Sequence, residues 1–270
     1  MMKRFSLILL CVAALSSLTG CEYLGQLLDL ADDIGNALGN TYVDKWANLV
    51  NETQYDVKVD GPTMTFGSHT YTIVTDLDVS TTEFTKATAF VTFTNIPSGY
   101  TEFSAVYNNL LGKSLAGTVA MVPMAMEIYA RDAATGEKCI KLLCTEGVAG
   151  EMITELKRKI VPSTASMDGD SYLQRYIPAA LLKDAAPTNA YTPSSPYTVQ
   201  MTMTSNGVKH SDQAGGDVTY ACIVTSGGWS SAQRGVDVFL HTGTSQYKIY
   251  GCPGCYSQCA TISGTWKGLN

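Results

Sequence analysis

Cysteines near the end of the chain have the residue type and spacing best suited to chemistry. Cys252 and Cys255 enclose a Pro-Gly pair in a C-x-x-C motif, Cys259 follows four residues later, and Cys222 lies earlier in the chain. Such a motif is a redox dithiol, half of a zinc site or a structural disulfide. We favour a disulfide because strand signals and Pro-Gly place the motif in a turn, while a second C-x-x-C for a four-thiolate zinc site is missing. We keep the metal and redox readings as alternatives.

Other nucleophile motifs are weaker. A cysteine hydrolase would pair Cys139 or Cys222 with His69, His210 or His241, but no nucleophile motif surrounds these residues. The GGWSSAQ segment is not a nucleophile elbow, and no Walker or dinucleotide-binding glycine pattern is present. We therefore predict no catalytic residues, no bound metal and no cofactor.

Two further cysteines belong to a predicted helix. Cys139 and Cys144 are five residues apart, a spacing on one helix that suits a disulfide poorly. We expect them to be buried free thiols or partners of thiols elsewhere. Asp168-Gly169-Asp170 resembles a fragment of a calcium loop, but the rest of that pattern is missing.

The amino-terminal residues carry the most specific signal. Lys3 and Arg4 precede the apolar stretch 5–15, and Leu18-Thr19-Gly20-Cys21 matches a bacterial lipobox. We predict that residues 1–20 are a removed signal peptide and that Cys21 bears acyl chains. The lipid would anchor the protein to a bacterial membrane, facing outside the cytoplasm. We therefore expect the membrane itself to be a partner, contacted through this lipid.

The charge pattern argues against nucleic acid. The net charge is −6 and becomes more negative if Lys3 and Arg4 are removed. The basic run 157–159 is better explained as the last turn of a helix, where cations are favourable. Because no basic patch interrupts the acidic balance, we expect no nucleic-acid partner.

Periodicity predicts an α+β domain. Residues 21–50 would hold the lipid anchor and a helical segment, and residues 51–270 a single domain with a sub-boundary near 185–196. Period-two patterns separated by Asp-Gly and Gly-Ser turns predict a meander from residue 55 and a fourth strand over 87–94. Further strands are predicted at 197–204, 218–225, 235–241 and 247–251, with a last edge strand at 261–266.

Between these strands lies a block with helical spacing. It begins near Ile96 and contains about five predicted helices, the second interrupted by Pro123 and the fifth over 171–183. Met121, Met124 and Met126 suit helix packing better than a soft-metal site. We expect this block to form the core, packed with the antiparallel strands before and after it.

A set of short motifs runs through the helical block and into the following strand: Ile96-Pro97, Glu102-Phe103, Leu111-Gly112-Lys113, Gly117-Thr118, Glu127-Ile128-Tyr129, Gly136, Leu142-Leu143, Gln174-Arg175-Tyr176, Pro178-Ala179-Ala180-Leu181-Leu182 and Pro196-Tyr197-Thr198-Val199. Through these motifs, residues about 84–250 resemble an uncharacterised bacterial lipoprotein domain family, a domain of unknown function. The resemblance implies a single α+β domain on a lipid anchor, and no activity or catalytic residues.

Together these features predict a non-catalytic lipoprotein of the cell envelope that binds an envelope protein or a small ligand. Trp229, Tyr247 and Tyr250 could supply a stacking surface, although core or edge-strand packing is the commoner use of such residues. The alternative is an envelope thiol-disulfide oxidoreductase that uses Cys252 and Cys255. A purely structural envelope protein is a third reading.

Overall fold

A computed structural model of the chain describes residues 56–77, 88–160, 174–211, 214, 216–241, 243–262 and 264–270. Residues 55–270 form one compact unit. The predicted signal peptide, Cys21 and the predicted amino-terminal helix fall outside the described residues, as does the Asp168–Asp170 segment. Among the residues that are described, no helix combines the length and apolarity required to cross a bilayer.

The strands form one eight-stranded sheet in which each strand pairs antiparallel with the next one in sequence. Alternating side chains and glycine turns explain the first strands. Gly61 and Gly67 have φ of 55° and 57° in the tight connections between the first three strands, a conformation that favours glycine. The strands are β1 Val57–Asp60, β2 Thr63–Phe66, β3 His69–Thr75, β4 Thr88–Phe93, β5 Tyr197–Ser211, β6 Gly216–Val224, β7 Gln233–His241 and β8 Gln246–Gly251.

A helical block separates β4 from β5 in sequence, although these strands are neighbours in the sheet. Phe93 at the end of β4 pairs with Tyr197 at the start of β5, and their rings meet edge to face at 5.6 Å. Strand β5, which follows residues 185–196, therefore belongs to the same sheet as the strands before the helical block. The helices are α1 Tyr100–Asn109, α2 Leu115–Arg131, α3 Ala133–Leu143, α4 Glu146–Lys159 and the single turn α5 Ile177–Ala180. Short 3-10 turns span Leu111–Lys113, Pro187–Asn189 and Pro253–Tyr256.

Helix α2 is the centre of the core. Every residue from Leu115 to Ala130 is buried, and the helix contacts β3 and β4 as well as β7 and β8. Side-chain oxygens satisfy its first amides, because Ser114 Oγ accepts from Gly117 N at 3.1 Å and Asp76 Oδ1 accepts from Ala116 N at 2.9 Å. An apolar helix buried all round needs neighbours on every side, and the sheet and the other helices provide them.

Close packing between α2 and α3 depends on Gly136. A Cβ atom there would lie 2.1 Å from Tyr129 Cα, so only glycine allows the two helices this approach. Pro123 lies in the middle of α2, and the helix continues through it to Arg131. Helix α4 ends at Lys159 with three basic residues in its last turn, as the sequence predicts.

The predicted α+β fold, with helices between antiparallel strands, is confirmed. The helical block contains about five helices, as predicted. The fifth, predicted over 171–183, is shorter than expected: it covers Ile177–Ala180, and the described residues beside it are not helical. The edge strand predicted over 261–266 is not formed by residues 261, 262 and 264–266, which are irregular.

Candidate functional site

The C-x-x-C motif forms a tight buried turn directly after β8. Cys252 and Cys255 are both fully buried, and the Cys255 amide donates to the Cys252 carbonyl at 2.9 Å. The Cys255 thiol donates to the Gly235 carbonyl at 3.9 Å, and it is close enough to the Cys252 thiol for the two to interact electrostatically. Pro253 begins the 3-10 turn that brings them together. The sequence predicted a turn here, and the structure places one.

A third thiol, which spacing alone did not link to the motif, lies beside this turn. Cys144 ends α3 and forms a parallel bridge with Ile249 of β8, and the Thr145 amide donates to the Ile249 carbonyl at 3.0 Å. Its thiol is close enough to Cys252 for the two to interact electrostatically. The two cysteines lie more than a hundred residues apart in sequence, so no local pattern could link them.

The other cysteines of the predicted cluster have different neighbours. Cys222 is in β6 beside Tyr220 and pairs with Gly235, the acceptor of the Cys255 thiol. Cys259 lies beside Tyr191. All six cysteines of the described residues are buried free thiols. Within the described part of the chain, no group of three or more His, Cys, Asp or Glu side chains is arranged to hold a metal ion.

Burial makes these thiols poor acids. The hydrogen bond with Cys255, together with burial, raises the pKa of Cys252 well above its ordinary value. Burial, followed by the nearby Cys252, does the same to the pKa of Cys144, and burial raises the pKa of Cys259 to about 11. Because the thiolate is the nucleophile, these sulfurs are unreactive near neutral pH while the fold is closed.

A buried carboxylate on α1 collects three donors. Glu102 is 2% exposed and accepts from the hydroxyl of Tyr71 at 2.6 Å and the amide of Ser98 at 2.7 Å. Nδ1 of His69 lies 2.7 Å from the same carboxylate. This cluster joins α1 to β3. Its members are far apart in sequence, and we had not selected Glu102 as a site residue.

A second buried carboxylate lies on α2. Glu127 is 1% exposed and accepts two bonds from Arg175, at 2.6 and 2.7 Å, and one from Arg131 Nε at 2.9 Å. Arg131 also donates to the Leu269 carbonyl at 2.8 Å, and the Arg175 guanidinium lies 4.9 Å from the ring centre of Trp266. The triad therefore fastens the carboxyl-terminal tail to the central helix.

The histidines have partners other than cysteine. His69 faces Glu102, while His210 Nδ1 lies 3.1 Å from Asp217 and His241 Nδ1 lies 3.3 Å from the hydroxyl of Thr244. His241 is exposed, as expected.

The aromatic residues considered for stacking are used in packing. Trp229 is partly buried against the core, with the Arg234 guanidinium 5.1 Å from its ring centre. Tyr247 also packs on the core, and its carbonyl accepts from the Tyr107 hydroxyl at 2.7 Å. Tyr250 is partly exposed. Trp229 and Tyr247 are therefore packing residues, which is the commoner use of such side chains.

The side of the sheet away from the helices carries a regular array of hydroxyl groups. The pairings Thr63 with Thr72, Thr72 with Thr92 and Thr92 with Thr198 form one row across four strands. Neighbouring strands are about 4.8 Å apart, so the hydroxyl groups repeat at that interval. We call this surface the threonine face; its members are Thr63, Thr65, Thr70, Thr72, Thr88, Thr92, Thr198 and Thr202, each partly or fully exposed.

Residues 95–263 match the model of a family described as a domain of unknown function, DUF6935. This span overlaps the residues that carry the resemblance seen in the sequence. No curated protein and no solved structure matches the chain. Because the match covers more than half of the chain, the protein belongs to the DUF6935 family.

Proposed function

We propose that the protein is a lipid-anchored extracytoplasmic protein that acts by binding an envelope protein and not by catalysis. The observation that carries the anchor is the lipobox ending at Cys21, placed after a short basic and apolar leader. A lipidated cysteine would tether the domain at the membrane surface. The local concentration of partners in the same membrane would then favour contact.

The reactive side chains of the domain support a binding role. Both buried carboxylates, Glu102 and Glu127, are occupied by donors that join elements of the fold. The thiols of Cys144 and Cys252 are buried with raised pKa values. These groups stabilise the structure, and their geometry leaves them no direct approach to a solvent-borne substrate.

The threonine face is the surface that we assign to this contact. Its hydroxyl groups both donate and accept hydrogen bonds, and they are already partly solvated, so pairing them with a polar partner costs little desolvation. Val74 on the same face is 58% exposed and adds apolar area. A broad, nearly neutral surface of this kind suits a polar protein partner.

Metabolic labelling with a fatty-acid analogue tests the anchor. We expect the full-length chain to be labelled and the Cys21→Ala variant to be unlabelled and released from the membrane fraction. Label that survives in Cys21→Ala would show that the anchor is assigned to the wrong residue.

Site-specific photo-crosslinking in intact cells tests the contact surface. A photoreactive amino acid at position 72 or 92 should give discrete crosslinked species. The same amino acid at Lys141, an exposed residue of α3 on the helical side, is the matched control. Equal crosslinking from both sides, or none from the threonine face, would contradict the assignment.

Because Cys252 and Cys255 lie together in one turn, the alternative function is that of an envelope thiol-disulfide oxidoreductase. Such an enzyme needs an accessible thiolate of low pKa, whereas burial and a hydrogen bond raise the pKa of Cys252. We expect the purified protein to be inactive in an insulin-reduction assay. Activity that is lost in Cys252→Ser would replace the binding proposal with the redox one.

A further inference from the structure

We infer that Cys252 and Cys255 are the pair that forms a disulfide when this chain is oxidised. Six cysteines allow fifteen connectivities, and the sequence does not choose among them. For this disulfide to form in cells, the domain must lie outside the cytoplasm, so that part of the inference rests on the proposed function. The choice of partners rests on the geometry of the C-P-G-C turn alone.

The backbone of the turn sets the required distance. A hydrogen bond from the Cys255 amide to the Cys252 carbonyl, at 2.9 Å, closes a turn of four residues. In such a turn the first and last Cα atoms lie within about 7 Å. Disulfides join Cα atoms about 4.4–6.8 Å apart, so the turn holds the two residues at bridging distance without rearrangement of the backbone.

The side chains are also enclosed together. Cys252 and Cys255 are both fully buried at this turn, and their thiols are close enough to interact electrostatically. The other cysteines have different surroundings. Cys139 lies near Asp132 and Lys138, Cys222 beside Tyr220, and Cys259 beside Tyr191.

Cys144 and Cys222 are the competitors near the turn. Cys144 is close enough to Cys252 to interact with it electrostatically. Cys222 pairs with Gly235, whose carbonyl accepts from the Cys255 thiol. A Cys144–Cys252 bridge would join the end of α3 to the residue after β8. Cys255 has two advantages over both competitors. Its amide is hydrogen-bonded to the Cys252 carbonyl, and it is only three residues away, so the two thiols meet while the chain is still folding.

The reaction is a thiol-disulfide exchange with a small-molecule or protein disulfide. One cysteine thiolate attacks the oxidant to form a mixed disulfide and releases one thiol of the oxidant. The second cysteine attacks its neighbour's sulfur and releases the other thiol. Two cysteine thiols are oxidised, one disulfide is reduced to two thiols, and the protons lost by the cysteines end on the released thiols. Because both sulfurs are buried in the folded domain, the exchange takes place after the turn has formed locally and before the surrounding core encloses it.

The test is to refold the purified full chain with oxidised and reduced glutathione, block the remaining thiols with an alkylating agent in denaturant, and digest with chymotrypsin. Cleavage after Tyr250 and Tyr256 isolates the segment 251–256, which separates Cys252 and Cys255 from Cys259. We expect this peptide to lack alkyl groups and to be lighter by two hydrogen atoms than its reduced form. The variants Cys252→Ser and Cys255→Ser should each leave the partner cysteine alkylated, and Cys259→Ser should change nothing.

Two alkyl groups on peptide 251–256 would overturn the inference, as would a crosslinked peptide that joins Cys252 to Cys144. The same mapping on chain alkylated inside intact cells separates the two proposals. A pair that is oxidised on refolding but alkylated in cells supports the inference on pairing and contradicts the extracytoplasmic location.

Discussion

The two faces of the sheet differ in what their side chains do. The inner face carries large buried residues such as Met64, Tyr71 and Phe93, and it packs against helices that contain two buried carboxylates. The threonine face carries partly or fully exposed hydroxyl groups, and those of Thr63 and Thr72 bond to each other at 3.1 Å. On β3 the change takes one residue, from Tyr71 at 0% exposure to the partly exposed Thr72.

The two faces should therefore have different roles: the inner face stabilises the fold, and the threonine face contacts a partner. Charged and titratable groups on the inner side are surrounded by protein, where an unpaired charge or donor is expensive. Hydroxyl groups on the outer side exchange protein partners for water at little cost. Substitutions on the inner side should therefore change the free energy of unfolding, and those on the threonine face should change contacts and leave stability nearly constant.

The largest expected effect is at Glu127. The substitution Glu127→Ala leaves the guanidinium groups of Arg131 and Arg175 without their buried anion and loosens the tail that Arg131 holds at Leu269. Removing one partner of a buried ionic network costs about 3–5 kcal/mol. Urea unfolding followed by circular dichroism measures the loss.

The matched control is Glu155→Ala on α4. Glu155 also accepts from two basic residues, Arg158 at 2.9 Å and Lys159 at 2.8 Å, but its side chain is 23% exposed where that of Glu127 is 1% exposed. Its removal should move the unfolding midpoint much less, since water screens ion pairs that it can reach. Equal destabilisation by the two substitutions would contradict the distinction between inner and outer sides.

A smaller effect is expected from alkaline pH. The pKa of the Cys259 thiol is raised from about 9 to about 11 by burial, so the unfolded chain loses this proton first. The stabilisation from a raised acid pKa is fully present below pH 9 and is lost as the pH rises toward 11. We expect the free energy of unfolding to fall over this range. In Cys259→Ala the fall should be shallower by about 1 kcal/mol per pH unit, the contribution of one proton.

Parallel urea titrations of the wild type and Cys259→Ala at several pH values between 9 and 11 give the two slopes. Other buried acids, such as Tyr71 and Tyr107, also have raised pKa values that do not depend on Cys259, and they set a common background in both proteins. Identical slopes would mean that the Cys259 thiol titrates alike in the folded and unfolded chains.

The strands could be predicted from the sequence because their signals are local. Alternating residues and glycine turns predict the meander, and the burial of Ala89, Val91 and Phe93 beside partly exposed or exposed threonines confirms the predicted sidedness of β4. The fifth helix is shorter than predicted because the apolar run 177–182 is completely buried, so its apolar residues indicate the core and not one face of a long helix. In the tail, side chains replace a strand partner: Gln174 bonds both the amide and the carbonyl of Cys259.

The candidate site was harder to predict because its contacts are long-range. Glu127 meets Arg175 across 48 positions, and Cys144 meets Cys252 across more than a hundred. A spacing rule covers only residues that share a turn, such as Cys252 and Cys255. That pair is the one part of the predicted cysteine cluster that the fold brings into contact.

The finest comparison uses the neighbouring residues Tyr71 and Thr72, whose substitutions to Phe and Val each remove one hydroxyl group. Tyr71→Phe takes a donor from the buried carboxylate of Glu102, and the loss of a hydrogen bond to a charged group costs about 1.5–3 kcal/mol. Thr72→Val keeps the β-branched shape on the partly exposed face, where a substitution usually changes stability by less than about 0.5 kcal/mol. Urea unfolding of both variants should separate them clearly. Similar losses would mean that the threonine face is part of the stabilising core, and the surface assigned to partner contact would have to be sought elsewhere.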